Sequence, residues 1–200
     1  FNIPPVYSVN YKTLAGGSDS GQVVIQVFFY GDKDGRMNYA NFVPQFPSSL
    51  WRREENRQWI TFTSIKGRPI KIFANKPLDE ASGEVDRAQA ALGDYLAEKG
   101  YEPTVVIHRG HSYYAPYTIE QLAPTAKIVF MGSCGGYNVI HDVLEHGEDA
   151  HIISSKEDGK LVFNQPLIDM MMENLRTGKN IDWIPFWREF GRKYKNIDGF

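Results

Sequence analysis

The chain has 200 residues, of which 42% are hydrophobic and 23% are charged, a composition ordinary for a soluble globular domain with one sizeable core. A formal net charge of −2 without a strongly basic stretch argues against nucleic acid as a partner, and no apolar run approaches the ~20 residues that cross a bilayer. The single cysteine, Cys134, cannot form an internal disulfide, so disulfides do not build the fold.

The N-terminal part of the chain predicts an extension followed by strands. Residues 1–21 are rich in Pro, Gly and Ser and show no sustained period, which predicts an arm or linker ahead of a single domain formed by residues 22–200. The run "QVVIQVFFY" from Gln22 predicts a strand that ends in a turn at "GDKDG". "WITFTS" and "PIKIFA" predict two more strands, joined as a hairpin around Gly67. A short helix is expected near "NYANFV".

From residue 82 onward, predicted strands alternate with predicted helices. Near-continuous apolar runs predict strands at "TVVIH", "KIVFM" and "AHIISS". Helical spacing and stop residues predict helices over 82–99, at "TIEQLA", from 137 to about 145, over 164–175, and after Asp182. The alternation implies βαβ units, so we expect an α/β three-layer sandwich with a mostly parallel central sheet flanked by helices, preceded by a short N-terminal extension.

Two of the predicted strands end at residues that can carry chemistry. In an open parallel sheet, reacting groups lie beyond the carboxyl ends of the strands. His111 follows "VVIH" and Cys134 follows "KIVFM". The connection between the two strands has a dozen or more residues, roughly the minimum for a parallel crossover. If these strands are neighbours, about 4.8 Å apart, both side chains emerge on the same edge of the sheet and can meet.

Cys134 has the local setting of a reactive thiol. It lies between a strand and the start of a helix, where free N–H groups and the positive end of the helix dipole stabilise a thiolate. Gly132, Gly135 and Gly136 let the backbone turn sharply and approach a substrate closely. A histidine nearby is a candidate base and proton donor for such a nucleophile, and backbone N–H groups are candidates for binding an oxyanion.

The run "VVIHRGHS" followed by "KIVFMGSCGG" resembles the caspase-type cysteine peptidases, which include caspases, metacaspases, gingipains, legumains and separases. Their hallmark is an apolar strand ending in Gly-His or His-Gly, then a second apolar strand ending in a small residue and Cys. The resemblance implies that Cys134 is the nucleophile and His111 the general base and acid, with the backbone N–H groups of Ser112 and Cys134 as the oxyanion hole. It covers residues 100–155 by motif and 22–180 by strand-helix order, and it implies no cofactor and no metal.

The sequence also departs from the family pattern. Metacaspases carry Ser-Gly-His-Gly and Asp-Ser-Cys-His-Ser-Gly, whereas Ser112 here replaces the glycine after the histidine. Gly132 replaces the acidic residue that helps metacaspases choose basic substrates, and the segment between His111 and Cys134 is short for the family. These departures leave a catalytically inactive binding or scaffold domain as the alternative, and the motif itself predicts no substrate preference.

Two metal sites can be considered from the sequence, and neither is expected. His108 and His111 have His-x-x-His spacing with Cys134 as a third zinc ligand, but residues three apart in an extended strand point to opposite faces. We therefore expect His108, inside the strand, to be a packed or hydrogen-bonded residue. Asp32 and Asp34 in "GDKDG" suggest a calcium loop but lack its third acidic position and terminal Glu, so we expect a simple turn.

A different hydrolase fold is the less favoured alternative. "GSCGG" fits Gly-x-Cys-x-Gly, a cysteine version of the nucleophile elbow of α/β-hydrolases, as in an esterase. That fold needs its histidine after the nucleophile, and too little chain separates Cys134 from the last histidine, His151, to hold the intervening strands.

The sequence thus predicts a cysteine peptidase-like hydrolase that cleaves a peptide or protein substrate through an acyl-enzyme. Because the chain starts at Phe1 rather than at a methionine, we expect it to be truncated or processed, with room for other domains of a longer protein. Its location, cytoplasmic or exported, is left open by the sequence.

Overall fold

Helices and strands account for most of the chain that the structure describes. The computed structural model describes residues 6–17, 21–155 and 161–194. In chain order the elements are β1 (Ser8–Val9), α1 (Tyr11–Leu14), β2 (Val23–Phe29), α2 (Lys33–Phe42), β3 (Trp51–Glu55), β4 (Trp59–Ser64), β5 (Ile70–Asn75), α3 (Glu84–Lys99), β6 (Val105–Arg109), α4 (Ala115–Ile119), β7 (Ile128–Met131), α5 (Ile140–His146), β8 (His151–Ser154), α6 (Leu161–Arg176), β9 (Ile181–Asp182) and α7 (Trp183–Lys193). Within these residues no helix is long and apolar enough to cross a membrane.

The main sheet has seven strands in the order β3-β4-β5-β2-β6-β7-β8. Strands β5, β2, β6, β7 and β8 pair in parallel, whereas β4 pairs antiparallel with both β3 and β5. The predicted α/β class is therefore confirmed, with a mixed sheet that is less uniformly parallel than we expected. The antiparallel part contains the predicted hairpin around Gly67. It also contains β3, which was not predicted because "WRREE" has no apolar alternation. Charged residues of this kind are common on edge strands, where they oppose pairing with another chain.

Both faces of the sheet are covered by helices. All seven residues of β2 are buried, as expected for a central strand that packs on both sides. On one face of β2, Val23, Ile25, Val27 and Phe29 pack in one cluster with α2, α6 and α7. On the other face, Val24 packs with α3, and Phe28 packs with α4 and α5. The chain therefore forms helix, sheet and helix layers around the central strand.

Residues 6–17 of the predicted N-terminal arm pack against this domain. Strand β1 pairs antiparallel with β9, which places Ser8 opposite Asp182. Leu14 is completely buried in the main core cluster, and its carbonyl accepts a hydrogen bond of 2.6 Å from Thr104 Oγ1. This part of the arm thus contributes apolar surface and a hydrogen bond to the fold, while residues 1–5 and 18–20 lie outside the described residues.

The segment "GDKDG" begins a helix, so the predicted simple turn is wrong. Asp32 is the N-cap of α2, and its Oδ1 accepts the N–H of Gly35 at 2.9 Å. An aspartate is a preferred residue at this position because it satisfies one of the backbone N–H groups that a helix leaves unpaired. The helix expected near "NYANFV" is the later part of α2.

The helix after Cys134 also differs from the prediction. A 3-10 turn over Gly136–Val139 comes first, and the α-helix itself begins at Ile140 rather than near Tyr137. The thiol therefore lies several residues ahead of the regular helix, which weakens the expected effect of the helix dipole because that effect is confined to the first turn.

We expect Leu14→Ala to lower the free energy of unfolding by about 2 to 5 kcal/mol, because it leaves a cavity in the main core. The exposed Val6→Ala in the same arm is the matched control and should change it by less than about 0.5 kcal/mol. Urea denaturation measures both values. Equal, small effects would show that the arm does not belong to the folded unit.

Candidate active site

His111 and Cys134 follow neighbouring strands. Strands β6 and β7 are parallel partners, with His108 opposite Met131 at their ends. His111 comes two residues after β6, and Cys134 comes three residues after β7. Since the carboxyl ends of adjacent parallel strands meet at one edge, both residues belong to the edge that carries ligands and reacting groups in such sheets. We call this edge, from the end of β2 to the end of β8, the carboxyl edge.

The backbone at His111 is held by a buried polar network. His108 is completely buried, and its Nε2 lies 3.2 Å from the carbonyl oxygen of Gly110 and 3.3 Å from that of His111. Its Nδ1 lies 2.8 Å from Thr118 Oγ1, which in turn lies 2.6 Å from the hydroxyl of Tyr30. As predicted, His108 is a packed and hydrogen-bonded residue.

These contacts fix the tautomer of His108. Two carbonyl oxygens can only accept, so Nε2 carries the proton and Nδ1 accepts from the Thr118 hydroxyl. Burial lowers the pKa of His108 to about 4, which keeps the ring neutral near pH 7. Burial also raises the pKa of Tyr30 to about 12, so its hydroxyl keeps its proton and can donate to Thr118.

The ring of His111 is held by two carboxylates. Its Nε2 lies 2.9 Å from Asp34 Oδ2 and 3.2 Å from Asp32 Oδ2. On its other side the ring stacks on Tyr113, with the ring centroids 5.2 Å apart. The His111 side chain is 40% exposed, so it is oriented by these contacts while it stays open to a substrate.

Asp32, Asp34 and His111 also form a group with the composition of a metal site. Each offers one ligand atom, and these atoms lie within 4.8 Å of one another. Two carboxylates and an imidazole suit a divalent cation, but the same geometry is explained by an imidazole N–H shared between two acceptors. The zinc site considered from the sequence does not form among the described residues, because both ring nitrogens of His108 bind protein groups.

The loop between β7 and Cys134 is held through its carbonyl groups. The carbonyl of Gly132 accepts from Asn164 Nδ2 at 3.2 Å, and the carbonyl of Ser133 accepts from Ser155 Oγ at 2.8 Å. Ser133 is buried, whereas Cys134 is exposed at the surface. The loop is thus tied to α6 and to the end of β8, and it places Cys134 at the surface of the carboxyl edge.

Gly132 has no room for a side chain. A Cβ at this position would lie 2.8 Å from the carbonyl oxygen of His108 and 3.0 Å from Arg109 Nη1. An acidic side chain at position 132 therefore cannot fit without a shift of the backbone.

A buried arginine lies beneath the same loop. Arg109 is completely buried; its Nη2 donates to Asn38 Oδ1 at 2.8 Å and its Nη1 donates to Gly132 O at 3.4 Å. Burial lowers its pKa to about 10, opposed by the charge of Asp169, so the guanidinium remains charged at neutral pH. It joins α2, β6 and the loop before Cys134, and its positive charge lies below the candidate site.

Ser112 lies at the start of a short helical turn at the carboxyl edge. It begins a 3-10 turn over Ser112–Tyr114, directly after His111 in extended conformation. The first N–H groups of a helical turn have no partner within that turn, so the N–H of Ser112 suits an oxyanion. The assignment of the N–H groups of Ser112 and Cys134 to an oxyanion hole stays a prediction.

Sequence reasoning missed Asp32 and Asp34 as part of this site. The signal was present, because both follow β2 and therefore lie at the same carboxyl edge as His111 and Cys134. The spacing of the two aspartates resembles only part of a calcium loop, and the pairing of β2 with β6 cannot be read from the sequence.

Comparison with known proteins does not assign this chain. No protein-family model matches the sequence, and no curated protein gives a significant match. The functional assignment therefore depends on the geometry of the carboxyl edge itself.

His108 predicts a loss of stability in acid. Its pKa is about 4 in the folded protein and near 6.5 in the unfolded chain, so the unfolded chain binds more protons between these values. The contribution of His108 to the free energy of unfolding is complete above pH 6.5 and is lost as the pH falls toward 4. We expect this residue alone to lower the free energy of unfolding by about 2 kcal/mol between pH 7 and pH 5.

Urea denaturation of the wild type and of His108→Gln at both pH values measures this effect. Glutamine does not titrate, so the variant should show the smaller decrease. An identical decrease in the two proteins would contradict a neutral, buried His108.

Proposed function

We propose that this protein is a caspase-like cysteine peptidase, in which Cys134 is the nucleophile and His111 is the general base and acid. The observation that carries the proposal is the placement of the two residues after adjacent parallel strands at the carboxyl edge, with the His111 ring held by two carboxylates. The exposed thiol and the anchored loop before it support the same assignment.

The contacts of His111 determine which ring nitrogen can act as the base. Nε2 faces Asp32 and Asp34 and donates its proton to them, which leaves the lone pair on Nδ1. A carboxylate that fixes the tautomer and orientation of a catalytic histidine is the role of the third member of a catalytic triad. We assign this positioning role to the aspartate pair, and proton transfer to Nδ1.

The reaction follows from these roles. The Cys134 thiol gives its proton to His111 Nδ1 while the sulfur attacks the carbonyl carbon of the substrate. The oxyanion of the tetrahedral intermediate accepts from the N–H groups of Ser112 and Cys134. The C–N bond then breaks as His111 protonates the leaving amine, which leaves a thioester on Cys134. Water hydrolyses the thioester with His111 as the base, and the proton returns to the sulfur.

The other histidines do not favour the esterase-type alternative. His151 begins β8, at the end of the strand opposite the carboxyl edge, and its Nδ1 accepts from Trp183 Nε1 at 2.9 Å. His141 is 85% exposed on α5 and lies 3.3 Å from Glu145, while His146 on the same helix contacts the carbonyl of Asp142. An α/β-hydrolase arrangement would need one of them at the site as base.

We expect Cys134→Ala and His111→Ala each to lower peptide cleavage by at least about a thousandfold, because the nucleophile and base act as a unit. Mass spectrometry of a mixed peptide library after incubation with the protein measures cleavage at every position. His141→Ala is the matched control, since it removes an exposed histidine outside the site, and it should leave the cleavage rate unchanged.

A wild type that cleaves no peptide in the library would favour the second candidate, an inactive peptidase-like binding domain. Cleavage that survives Cys134→Ala would contradict the assigned nucleophile. Cleavage that is lost only when a histidine later in the chain than Cys134 is replaced would support the esterase-type arrangement.

The aspartate pair gives a separate prediction. We expect Asp32→Asn and Asp34→Asn together to lower kcat by about a hundredfold with little change in KM, because the base loses its orientation while substrate binding is unaffected. Asparagine is as good an N-cap as aspartate, so the double variant should keep α2 and the free energy of unfolding. Steady-state kinetics and urea denaturation distinguish the two effects, and an unchanged kcat would remove the aspartates from the mechanism.

A further inference from the structure

A large groove lies on the α3 and α4 face of the sheet, away from the loop that carries Cys134. It has a volume of about 980 Å³ and lies between α3 and the segment from α4 to residue 125. This volume is at the upper end of the range for ligand sites, about 300 to 1,000 Å³. We call it the acidic groove, because five carboxylates and no basic side chain line it.

The groove exists because the core on this face is divided. Val24 packs with α3 and Phe28 packs with α4 and α5, and these residues belong to separate hydrophobic clusters. Gln26 lies between them on the same face of β2 and contributes to the groove floor. A glutamine there prevents the two clusters from joining, since a buried amide does not pack favourably against apolar groups without a partner.

Gln26 is itself an observation that points to a ligand. It is 4% exposed and lines the groove, no side-chain hydrogen bond joins it to the described part of the chain, and it is not among the polar groups sealed from solvent, so its amide faces the groove space. A buried polar group without a partner is costly, so such groups in folded proteins usually meet water or a ligand. The amide offers both donors and an acceptor to a backbone or side chain that enters the groove.

The charge of the groove has one sign. Its lining includes five carboxylates and no Lys, Arg or His, although the whole chain has a net charge of only −2. The carboxylates have no basic partner within 4 Å among the described residues, whereas many acidic residues elsewhere are paired. The members are Glu80, Asp86, Asp94, Glu102 and Glu120. A cleft lined by charge of one sign concentrates ligands of the opposite sign.

The shape of the groove suits an extended chain. Its floor includes Gln26 in β2 and Tyr30 directly after that strand, four residues further along the chain. An extended chain rises about 3.3 Å per residue, so these two positions are about 13 Å apart and the groove can hold an extended peptide of about four residues. Tyr30 and Tyr117 also line it, and tyrosine rings favour nearby cations.

We propose that the acidic groove binds an extended peptide segment that carries lysine or arginine side chains. Backbone groups of the segment satisfy Gln26, its aliphatic stems cover the tyrosines, and its charged ends meet the rim carboxylates. Tyr114 joins the groove to the carboxyl edge, because it donates a hydrogen bond to Glu80 and follows His111 by three residues. The binding does not depend on Cys134; its use in selecting basic substrates rests on the proposed function.

Fluorescence anisotropy with labelled hexapeptides tests the binding in the Cys134→Ala protein, where cleavage cannot interfere. The probe peptide alternates lysine and arginine with leucine, and its counterpart carries glutamate in place of the basic residues. We expect the basic peptide to bind and the acidic peptide not to bind. The affinity for the basic peptide should fall as the sodium chloride concentration is raised, because salt screens exposed charges.

Two variants, each with four carboxylates neutralised, test whether the peptide binds in the acidic groove. The rim variant, Asp86→Asn with Asp94→Asn, Glu102→Gln and Glu120→Gln, should weaken binding by about tenfold, since each exposed charge pair contributes a small amount. The control variant changes four exposed carboxylates elsewhere and should bind like the parent: Glu54→Gln, Glu98→Gln, Glu145→Gln and Asp149→Asn. Gln26→Leu should weaken binding severalfold while folding is kept, as checked by circular dichroism.

Equal binding of the basic and acidic peptides, or equal weakening in the rim and control variants, would overturn the proposal. Failure of the basic peptide to bind would do so as well. None of these results depends on catalysis, so a binding-competent protein without peptidase activity would reject the proposed function and keep the groove.

Discussion

The turn after β6 depends on a neutral histidine buried beneath it. His108 lies in the middle layer of the protein and uses Nε2 to hold the carbonyls of Gly110 and His111, while Thr118 from α4 satisfies its other nitrogen. Burial lowers the pKa of this ring to about 4 and so keeps it neutral, because a charged ring would have to be desolvated there. The position of His111 at the carboxyl edge therefore depends on a network that joins β2, β6 and α4.

A second buried polar group holds the neighbouring loop. Arg109 faces the opposite side of β6 from His108 and reaches Asn38 in α2 and the carbonyl of Gly132. Consecutive residues of one strand point to opposite faces. Strand β6 therefore supports both parts of the candidate site, the His111 turn through His108 and the loop before Cys134 through Arg109.

The distribution of charge matches these separate roles. Carboxylates at Asp32 and Asp34 lie at the carboxyl edge around His111, and a second set lines the groove between α3 and α4. Arg109 supplies a buried positive charge beneath the loop before Cys134. Negative charge thus surrounds the histidine and lines the groove, although the position before Ser133 and Cys134 has no space for an acidic side chain.

Much of the fold could be predicted because its pattern is local. The buried runs of β2, β6 and β7 are nearly all apolar, and α3 shows clear helical spacing that ends at Gly100. Strand β3 could not be predicted, since its charged edge carries no alternation. The start of α2 was not predicted, because an aspartate that caps a helix and an aspartate in a turn look alike in the sequence. Asp32 accepts the N–H of Gly35 as the cap and also contacts the ring of His111.

The candidate site was predictable only in part, for a related reason. The motif positions of His111 and Cys134 are visible because each follows an apolar run. The aspartates become part of the site only through the pairing of β2 with β6, a contact between residues far apart in the chain. The same holds for the acidic groove, whose carboxylates come from α3 and from the segments that flank α3 and follow α4. It also holds for Gln26, which interrupts an apolar strand without any local sign of a cavity.

The central claim is that Cys134 forms a thioester with the acyl part of a peptide, with His111 as the base. The most direct measurement is intact-protein mass spectrometry of rapidly quenched reactions with a cleaved peptide, followed by digestion to locate the adduct. The account predicts an acyl adduct on Cys134 that appears in the first turnover and is absent from His111→Ala. Cleavage of the peptide with no adduct on Cys134, or with an adduct that forms equally fast without His111, would contradict it.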